Sequence, residues 1–592
     1  MQLENIDWLI ISSFFILSLV IGVVVSKKSG KDVTEFFLSG RKMPWWLLGI
    51  SMVATTFSAD TPNLVTDIVR TNGVAGNWVW WAFLLTGMLT VFVYAKLWRR
   101  SKVLTDLEFY ELRYSGNPAK FLRAFRAIYL GVFFNVMIMA TVCLAGIKIG
   151  GILLGLSPFE CVFYSSLITV FYSSLGGLRS VVITDIIQFV LAMVGSIWAC
   201  VYILNLDEVG GLNNLINHSL VVDKLNFFPS LEDKETFLTV LIIPLAVQWW
   251  AVWYPGAEPG GGGYIAQRML SAKDEKSAVY STLLFNVAHY ALRPWPWILI
   301  ALSSIVVYPT LSDISSSFPG IDNSIIGNDI AYPAMLYLLP SGLLGLVLAS
   351  LIAAFMSTIS SHLNWGASYI SLDFYKRFIK KNATEKEVVF IGRISTIGLM
   401  IMAGFLALKL SDALEAFQIL LQIGAGTGSI FLMRWFWWRV NAYSEITGMA
   451  VSFLLAIYFQ WFHFDITGIE LVSYEKLLIS IFITTSSWVL VTLFTSPSEN
   501  KVLLEFYYKI KPYGIGWDGF LKKNNLVKFK NNNESPMRDL VLMFLGIITV
   551  YFGLFGTGYL IYNELFLGSV MIIISFSSAF FTNYIMLNTR KG

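Results

Sequence analysis

Repeated apolar runs of about twenty residues are the feature that most restricts the folds open to this chain. One run is LIISSFFILSLVIGVVV near the N-terminus, and another is FLGSVMIIISFSSAFF close to the C-terminus. A helix of ~20 residues is about 30 Å long, which matches the hydrocarbon core of a bilayer. The runs are continuous and longer than the ~10-residue alternating strands of a membrane barrel. The sequence therefore predicts an all-α polytopic membrane protein that sits in a lipid bilayer.

The composition supports this class, because 56% of the 592 residues are hydrophobic and only 14% are charged. Hydropathy along the chain predicts about fifteen transmembrane helices. The formal net charge is +4, but the basic residues are scattered over short connections, so we expect no nucleic acid partner. The predicted spans contain neither an HExxH nor a GxSxG motif, so we do not expect an enzyme. No obligatory protein partner is evident from the sequence.

The distribution of basic residues predicts the orientation in the membrane. On one side, the segment 309–330 contains three aspartates and neither Lys nor Arg. The loops expected on the other side carry Lys27, Lys28, Lys31, Arg41, Lys42, Lys96, Arg99, Arg100, Lys102, Arg113, Lys120, Lys376, Arg377, Lys380, Lys381, Lys509, Lys511, Lys522, Lys523, Lys528 and Lys530. Because cytoplasmic loops are enriched in Lys and Arg, we expect the N-terminus outside and the C-terminus in the cytoplasm. The compact loops favour a bacterial inner membrane.

Two of the predicted spans are interrupted. The second contains TTFSADTPN at 55–63, and the seventh contains PGAEPGGGG at 255–263, with Pro255 and Glu258. Proline removes a hydrogen-bond donor and glycine adds backbone freedom, so neither segment continues a helix well. Irregular backbone at this depth must be buried in protein or line a cavity, because lipid cannot satisfy it. Kinks relieved by neighbouring helices are the alternative interpretation.

Each interrupted span opens a block of five predicted helices, at 44–205 and 237–438, and the two blocks begin on opposite sides of the membrane. This pattern is typical of secondary transporters built from inverted repeats, with a binding site near the midplane. The rest of the chain divides into an extra N-terminal helix and cytoplasmic loop (1–43), an extracellular loop (206–236), accessory helices (439–496), a cytoplasmic loop (497–537) and two C-terminal helices (538–592).

A row of hydroxyl side chains lies within the apolar stretch AAFMSTISSHLN at 353–364. Ala354, Ser357 and Thr358 are spaced at i, i+3 and i+4, so they share one face of a helix. A dehydrated hard cation requires oxygen ligands, which two hydroxyls and a carbonyl of this face could supply together with unwound carbonyls near Ala54 and Phe57. Alternatively, the hydroxyls let helices approach closely and hydrogen-bond to one another.

Four segments resemble successive signatures of the sodium:solute symporter family, which includes sodium-coupled sugar, proline and sialic acid transporters. They are FFLSGRKMPWWLLGISMVATTFSADTPN, SSLGGLRSVVITDIIQ, YIAQRMLSAKDEKSA and LPSGLLGLVLASLIAAFMSTISSHLNWGASYISLDFYKRF. The resemblance extends over about residues 6 to 495. It implies a leucine-transporter (LeuT) fold, whose ten-helix core agrees with the two five-helix blocks.

The resemblance also implies roles for individual residues. The implied sodium ligands are Ala54, Phe57, Ala354, Ser357 and Thr358, the first two through backbone carbonyls. Asp185, in TDIIQ, matches an acidic residue that helps the ion leave toward the cytoplasm, and the alternative for it is an ion pair with Arg179. Tyr264 stands where an inner-gate tyrosine is expected, although the preceding PGAEPGGGG departs from the family's pattern.

Candidate substrate residues are ionisable or polar groups inside predicted spans, where such groups are costly and most often functional. They are Asp60, Thr61, Glu258, Tyr264, His289 and Arg293, with Trp80 and Trp81 as further candidates for the cavity wall. Asp60 and Thr61 occupy positions of polar ligands in the sugar-transporting relatives. Glu258 and Arg293 could instead pair with each other, and His289 could be a core histidine whose nitrogens are satisfied within the protein.

The sequence therefore predicts sodium-coupled symport of a small polar organic solute, sugar-like or a polyol, by alternating access. Symport of an amino acid or a carboxylate is the first alternative, and a proton-coupled carrier that uses Asp60, Asp185 or Glu258 is the second. Sodium is favoured because neutral hydroxyl ligands do not bind and release a proton near neutral pH. A fused sensor domain is not expected, because the chain ends at Gly592 directly after its last predicted helix.

Overall fold

The computed structural model describes residues 3–29, 32–253, 258–321, 325–410, 413–528 and 535–588. Pro255, which was expected to interrupt the seventh span, lies outside these residues. In the part that is described, the regular structure is helical, and β-structure is limited to two isolated bridges, Met43 with Ala272 and Val252 with Ala425. The expectation of an all-α membrane protein is confirmed.

Ten helices of the described chain are long and apolar enough to cross a membrane. They are Val74–Ser101, Gly116–Leu154, Gly177–Leu204, Glu275–Val307, Leu343–Ile379, Glu385–Ala407, Ala442–Thr467, Ser473–Phe494, Pro536–Ile561 and Leu565–Leu587. Three shorter apolar helices are Asn5–Ile21, Trp45–Thr56 and Pro158–Phe171. The count is lower than the fifteen expected, because several segments are divided by breaks in the backbone.

The remaining helices are short or connect the long ones. They are Val33–Leu38, Ser39–Arg41, Asp60–Asn72, Glu108–Arg113, Leu212–Asn217, Val222–Lys224, Lys234–Thr236, Phe237–Ile242, Pro244–Gln248, Trp249–Ala251, Gly263–Ser271, Leu311–Ser317, Asn328–Ile330, Ala331–Leu336, Ala413–Gly424, Gly428–Phe436, Asn500–Ile510 and Asp518–Lys523.

The second predicted span is interrupted as expected. It forms the first broken helix, which consists of Trp45–Thr56 and Asp60–Asn72 joined by Phe57–Ala59. The amide of Phe57 is the last to bond back into the first half, with the carbonyls of Val53 at 2.8 Å and Ala54 at 3.2 Å. Carbonyls at this end lose their helical donors, so other partners must satisfy them.

The seventh span is also interrupted and forms the second broken helix, with Trp249–Ala251 before the break and Gly263–Ser271 after it. Trp253 N donates to Gly424 O at 3.3 Å, and Gly426 N donates to Ala251 O at 2.7 Å. A Cβ on Gly424 would lie 2.3 Å from the carbonyl oxygen of Trp253, so only glycine permits this approach. Val252 and Trp253, the described residues at the start of this break, are thus buried against the break between Ala413–Gly424 and Gly428–Phe436.

The hydroxyl row lies on Leu343–Ser368, which we call the hydroxyl helix. It packs against the long helix Pro158–Leu204 and the first half of the first broken helix. Its N-terminus is capped by Asp7 of the N-terminal helix, whose Oδ1 accepts the amides of Gly342 at 2.7 Å and Gly345 at 2.8 Å. A carboxylate at this end satisfies free amides and complements the helix dipole. The first helix therefore positions the one that carries the hydroxyls.

Candidate functional site

The hydroxyl helix meets the first broken helix where the latter unwinds. The Thr358 hydroxyl donates to the carbonyl oxygen of Thr55 at 2.8 Å. One turn further along, the hydroxyls of Ser361 and Thr55 lie 2.9 Å apart. All three side chains are buried. The hydroxyl row therefore contacts the last turn of the first half-helix, directly before the unwound segment 57–59, and the contact is made of oxygen atoms.

Asp185 links a third helix to this contact. Its Oδ1 accepts the hydroxyl of Ser357 at 2.7 Å, and its Oδ2 accepts the hydroxyl of Ser51 at 2.5 Å. The carboxylate is fully buried. The alternative ion pair with Arg179 is not formed, because that guanidinium lies 3.9 Å from Glu35 instead.

Arg268 completes the network, and sequence reasoning missed it. This fully buried side chain follows the break of the second broken helix. Its Nε donates to Ser51 Oγ at 3.0 Å, while its Nη2 donates to Ser361 Oγ at 2.6 Å and to Thr55 Oγ1 at 3.0 Å. Its Nη2 also lies 3.7 Å from Asp185 Oδ2, so each buried charge has a counter-charge. The sequence feature that could have indicated this residue is the lone arginine of YIAQR, which follows the glycine-rich break.

The other sodium-ligand candidates lie beside this contact. Ala54 and Phe57 are buried at the end of the first half-helix, and the Phe57 ring stacks on Trp297 with centroids 4.9 Å apart. Ala354 is buried one turn before Thr358. Hydroxyl and carbonyl oxygens are ligands that suit a hard cation, and a hydroxyl that donates one hydrogen bond still offers a lone pair. The residues present therefore fit a sodium ion.

A cavity of about 120 Å³ lies beside the same contact and opens between the two broken helices. Most of the predicted substrate residues line it, namely Asp60, Thr61, Tyr264, His289 and Arg293. Thr55 and Thr358 line it as well. This volume is below the ~300–1,000 Å³ of pockets for drug-sized ligands, so the cavity suits a compact molecule. The cavity and the hydroxyl contact share a wall.

Asp60 and Ser58 present polar atoms to this cavity. Within the described residues, the Oδ1 atom of Asp60 and the Oγ atom of Ser58 are buried and make no hydrogen bond of normal geometry, although the Ser58 hydroxyl lies close to the Asp60 carboxyl group. Buried polar atoms are rarely left without a partner, because desolvation is costly. Both can accept a hydrogen bond from a hydroxyl or an amine of a solute.

His289 joins Arg293 to the first broken helix. Arg293 Nη2 lies 3.2 Å from His289 Nε2, and since arginine can only donate, Nε2 accepts and carries no proton. His289 Nδ1 lies 3.0 Å from Thr56 Oγ1, whose own proton goes to the carbonyl of Val53 at 2.9 Å. The histidine is therefore the neutral Nδ1–H tautomer, and it orients the guanidinium at the cavity wall.

Glu258 does not belong to the residues that line this cavity, which corrects one predicted assignment. Its Oε1 lies 3.5 Å from Arg434 Nη2, and its Oε2 accepts Trp253 Nε1 at 2.7 Å. The alternative, a pair with Arg293, is not formed either, because the carboxylate lies against Arg434 and Trp253. The unwound backbone places Glu258 against Gly262, where an added Cβ would lie 1.5 Å from Oε2, so the glycine run gives this carboxylate room.

The two tryptophans predicted for the cavity wall lie in different environments. Trp80 lines the cavity and stacks on Tyr290, whereas Trp81 is fully buried against Trp78.

His362, which the sequence analysis did not name as a candidate, also lines the cavity, on the hydroxyl helix one turn after Thr358. This histidine is part of the segment AAFMSTISSHLN, but nothing in the sequence shows whether its side chain faces a cavity or packs in the core.

Comparisons with known proteins point to one family. Residues 36–452 match the profile of the Sodium:solute symporter family. The chain is 25% identical over 501 residues to the sodium/glucose cotransporter of Vibrio parahaemolyticus, covering 82% of this chain and 90% of that protein. It is 26% identical over 491 residues to the sodium/myo-inositol cotransporter of Bos taurus, covering 77% and 67%.

A solved structure has a similar fold. It is a Na⁺-coupled sialic acid symporter in a substrate-bound outward-open state, with a TM-score of 0.65, 20% sequence identity and coverage of 84% of this chain and 99% of that one. The predicted family, the predicted membrane transporter class and the predicted coupling ion are thereby confirmed. The chain belongs to the sodium:solute symporter family, and sodium is its coupling ion.

Proposed function

We propose that the protein carries a small polar organic solute, sugar-like or a polyol, into the cell together with sodium by alternating access. The observation that supports this most is that Thr358 contacts Thr55, in the last turn of the first half of the first broken helix, and also lines the solute cavity. An ion bound at that contact and a solute bound in the cavity then stabilise the same arrangement of helices. Such a shared arrangement couples the two binding events.

The proposed sodium ligands are the carbonyls of Ala54, Phe57 and Ala354 and the hydroxyls of Ser357 and Thr358. The contact of Thr358 with Thr55 supports this set, because it brings the hydroxyl face to the end of the half-helix that contains Ala54 and is followed by Phe57. Asp185 accepts the Ser357 hydroxyl, so a carboxylate stands next to the proposed site. We propose that Asp185 attracts the ion as it leaves toward the cytoplasm.

The proposed solute contacts are Asp60, Thr61, Tyr264, His289 and Arg293, with Trp80 as an apolar wall. The buried acceptor atoms Asp60 Oδ1 and Ser58 Oγ favour a solute rich in hydroxyl donors. The names of similar proteins, which refer to glucose and myo-inositol, point to the same chemistry. Glu258 is left out of this set, because its partners are Arg434 and Trp253.

A zwitterionic solute, such as an amino acid, is the second candidate. Asp60 and Arg293 line one cavity and carry opposite charges, so they could receive an ammonium and a carboxylate group. A proton-coupled carrier is less well supported, because the hydroxyls at the helix contact do not exchange protons near neutral pH.

The energy of one sodium ion is sufficient for accumulation. Entry down a potential of ~100 mV provides about 2.3 kcal/mol, and a tenfold gradient adds about 1.4 kcal/mol. Together they support a concentration ratio of a few hundredfold.

We also propose the finer architecture. The ten long helices, the three shorter apolar helices, the second broken helix and the divided segment Ala413–Phe436 together give about fifteen spans, with five-helix inverted repeats at 44–205 and 237–438. The flanking segments 1–43, 206–236, 439–496, 497–537 and 538–592 are then peripheral to the core. The basic loops support an outside N-terminus and a cytoplasmic C-terminus in a bacterial inner membrane.

Uptake into proteoliposomes tests the proposal. Radiolabelled glucose, mannose and myo-inositol are each offered under an imposed sodium gradient, a proton gradient or neither. We expect accumulation of at least one of them only with sodium. A panel of amino acids under the same conditions tests the second candidate, and uptake that ignores sodium would contradict both.

A further inference from the structure

A second and larger cavity, of about 410 Å³, lies between the N-terminal helix, Gly116–Leu154, the first part of Pro158–Leu204 and the hydroxyl helix. We call it the side crevice. Its lining differs from that of the solute cavity, and the transport cycle proposed above makes no use of it. Its walls include Ile11, Ile149 and Leu351.

The side crevice is apolar. The described residues that line it carry no charge, and hydroxyls come from two of them, Tyr164 and Ser165. The Ser165 hydroxyl donates to the carbonyl of Cys161 at 2.6 Å, so it is satisfied within its own helix. A water molecule needs two to four polar partners, which such walls do not provide. A void that contains neither water nor an apolar group loses dispersion contacts along its whole lining.

The mouth of the crevice continues into the apolar surface of the spans. Trp8 and Tyr164 belong to the lining and are each 52% exposed. Next to them, Leu9, Phe163 and Leu167 are also exposed. Exposed apolar side chains on membrane-spanning helices face acyl chains. The crevice is therefore reached from the bilayer.

The floor of the crevice reaches the broken backbone. Ala59, which lies in the break of the first broken helix, lines the crevice and is only 2% exposed. Phe355 and Met356, directly before Ser357, line it too and are buried. A group that enters from the bilayer thus contacts the break of the first broken helix and the turn of the hydroxyl helix that leads into Ser357.

We propose that the side crevice binds one acyl chain of a bilayer phospholipid, which enters past Trp8 and Tyr164 and packs against Ala59 and Met356. The chain fits because it is apolar, unbranched and flexible, and because it is the most abundant such group at the mouth. The favourable free energy of binding comes from van der Waals packing, because the acyl chain moves from one apolar environment, the bilayer, to another, the crevice.

Photo-crosslinking tests this proposal on the full-length protein. The protein is placed in nanodiscs of phosphatidylethanolamine and phosphatidylglycerol, doped with phosphatidylethanolamine that carries a diazirine near the end of one acyl chain. After irradiation, adducts are located by peptide mass spectrometry. Ala59, Phe355 and Met356 are the diagnostic residues, because burial keeps them from lipid by any route except the crevice. Phe405, which is 68% exposed, reports general labelling.

Two filling variants and one matched control sharpen the result. Ile352→Trp and Ile168→Trp add bulk from opposite walls of the crevice, while Ile401→Trp adds the same bulk on an exposed face elsewhere. We expect adducts on the diagnostic residues in the wild type and in Ile401→Trp, and a fall of about tenfold in both filling variants, because the indole takes the volume of the chain end. Labelling of Phe405 stays constant throughout. Wild-type protein without adducts on the diagnostic residues, or filling variants with undiminished adducts, would overturn the proposal.

Discussion

The hydroxyl of Thr358 donates a hydrogen bond to the carbonyl oxygen of Thr55, 2.8 Å away, and both residues line the solute cavity. The two positions are 303 residues apart in the chain. The contact exists because the first half of the first broken helix ends at Thr56 and exposes carbonyls to the hydroxyl helix. Sodium binding and solute binding are therefore both expected to stabilise the same arrangement of the first broken helix and the hydroxyl helix.

Thr358→Ala is expected to weaken sodium dependence selectively. The sodium concentration for half-maximal solute uptake should rise about tenfold or more, equivalent to ~1.4 kcal/mol, because one oxygen ligand is lost. Sodium titrations of uptake in proteoliposomes measure this. Thr358→Ser keeps the oxygen and should behave almost as the wild type. Ser350→Ala is the control, since that hydroxyl bonds only within its own helix, to Val347 O. Equal effects of the Thr358→Ala and Ser350→Ala changes would argue against the ligand role.

Asp60→Asn is expected to impair solute binding. Loss of a buried acceptor for solute hydroxyls costs about 1–3 kcal/mol, so the half-saturating solute concentration should rise roughly tenfold. Transport assays at saturating sodium measure the change. Asp67→Asn on the same half-helix does not alter a residue that lines the cavity and serves as the control. An unchanged solute affinity in Asp60→Asn would remove this residue from the site.

Glu258→Gln is expected to reduce stability and leave the half-saturating solute concentration almost unchanged. The substitution removes one of the two carboxylates beside the buried Arg434 guanidinium, which still lies 4.0 Å from Glu445, so we expect a loss below the ~3–5 kcal/mol of breaking an isolated buried ion pair. Thermal unfolding of the purified protein measures the loss. Combining Glu258→Gln with Arg434→Gln should cost less than the sum of the two single changes. If solute affinity falls while the unfolding temperature stays constant, Glu258 contacts solute after all.

Asp7→Ala is expected to lower thermal stability through the hydroxyl helix. Removing this cap leaves the amides of Gly342 and Gly345 without their acceptor, and loss of a cap costs about 0.5–2 kcal/mol. The unfolding temperature in nanodiscs reports the change. Glu4→Gln nearby, an exposed position, should have no such effect. Equal unfolding temperatures for the Asp7→Ala variant and the wild type would show that the cap does not stabilise the helix.

The local features of this fold could be predicted from sequence, because their causes are local. TTFSADTPN and PGAEPGGGG interrupt helices because proline lacks a backbone N–H donor and glycine adds backbone conformational freedom. Both interruptions are present among the described residues. The spacing of Ser357 and Thr358 likewise fixes a shared face before any partner is known. The number of spans was harder to predict, because each break divides a helix and makes the ends of that helix difficult to locate from the sequence.

Partners across the molecule could not be predicted, because they depend on how distant helices meet. Glu258 pairs with Arg434, 176 residues later, and the nearer candidate Arg293 bonds to His289 on its own helical segment instead. Arg268 was missed for the same reason: its partners Ser51 and Ser361 come from two other helices. A buried charge in the sequence signals that a counter-charge exists, but it does not say which one.

The most direct test of the account is binding of ²²Na⁺ to the purified protein in nanodiscs, measured for the wild type and for the double variant Ser357→Ala with Thr358→Ala. We expect saturable binding to the wild type that unlabelled sodium displaces and potassium does not. We expect the folded double variant to lose this binding. Sodium binding of equal affinity in the double variant would contradict the proposal that the ion lies between the first broken helix and the hydroxyl helix.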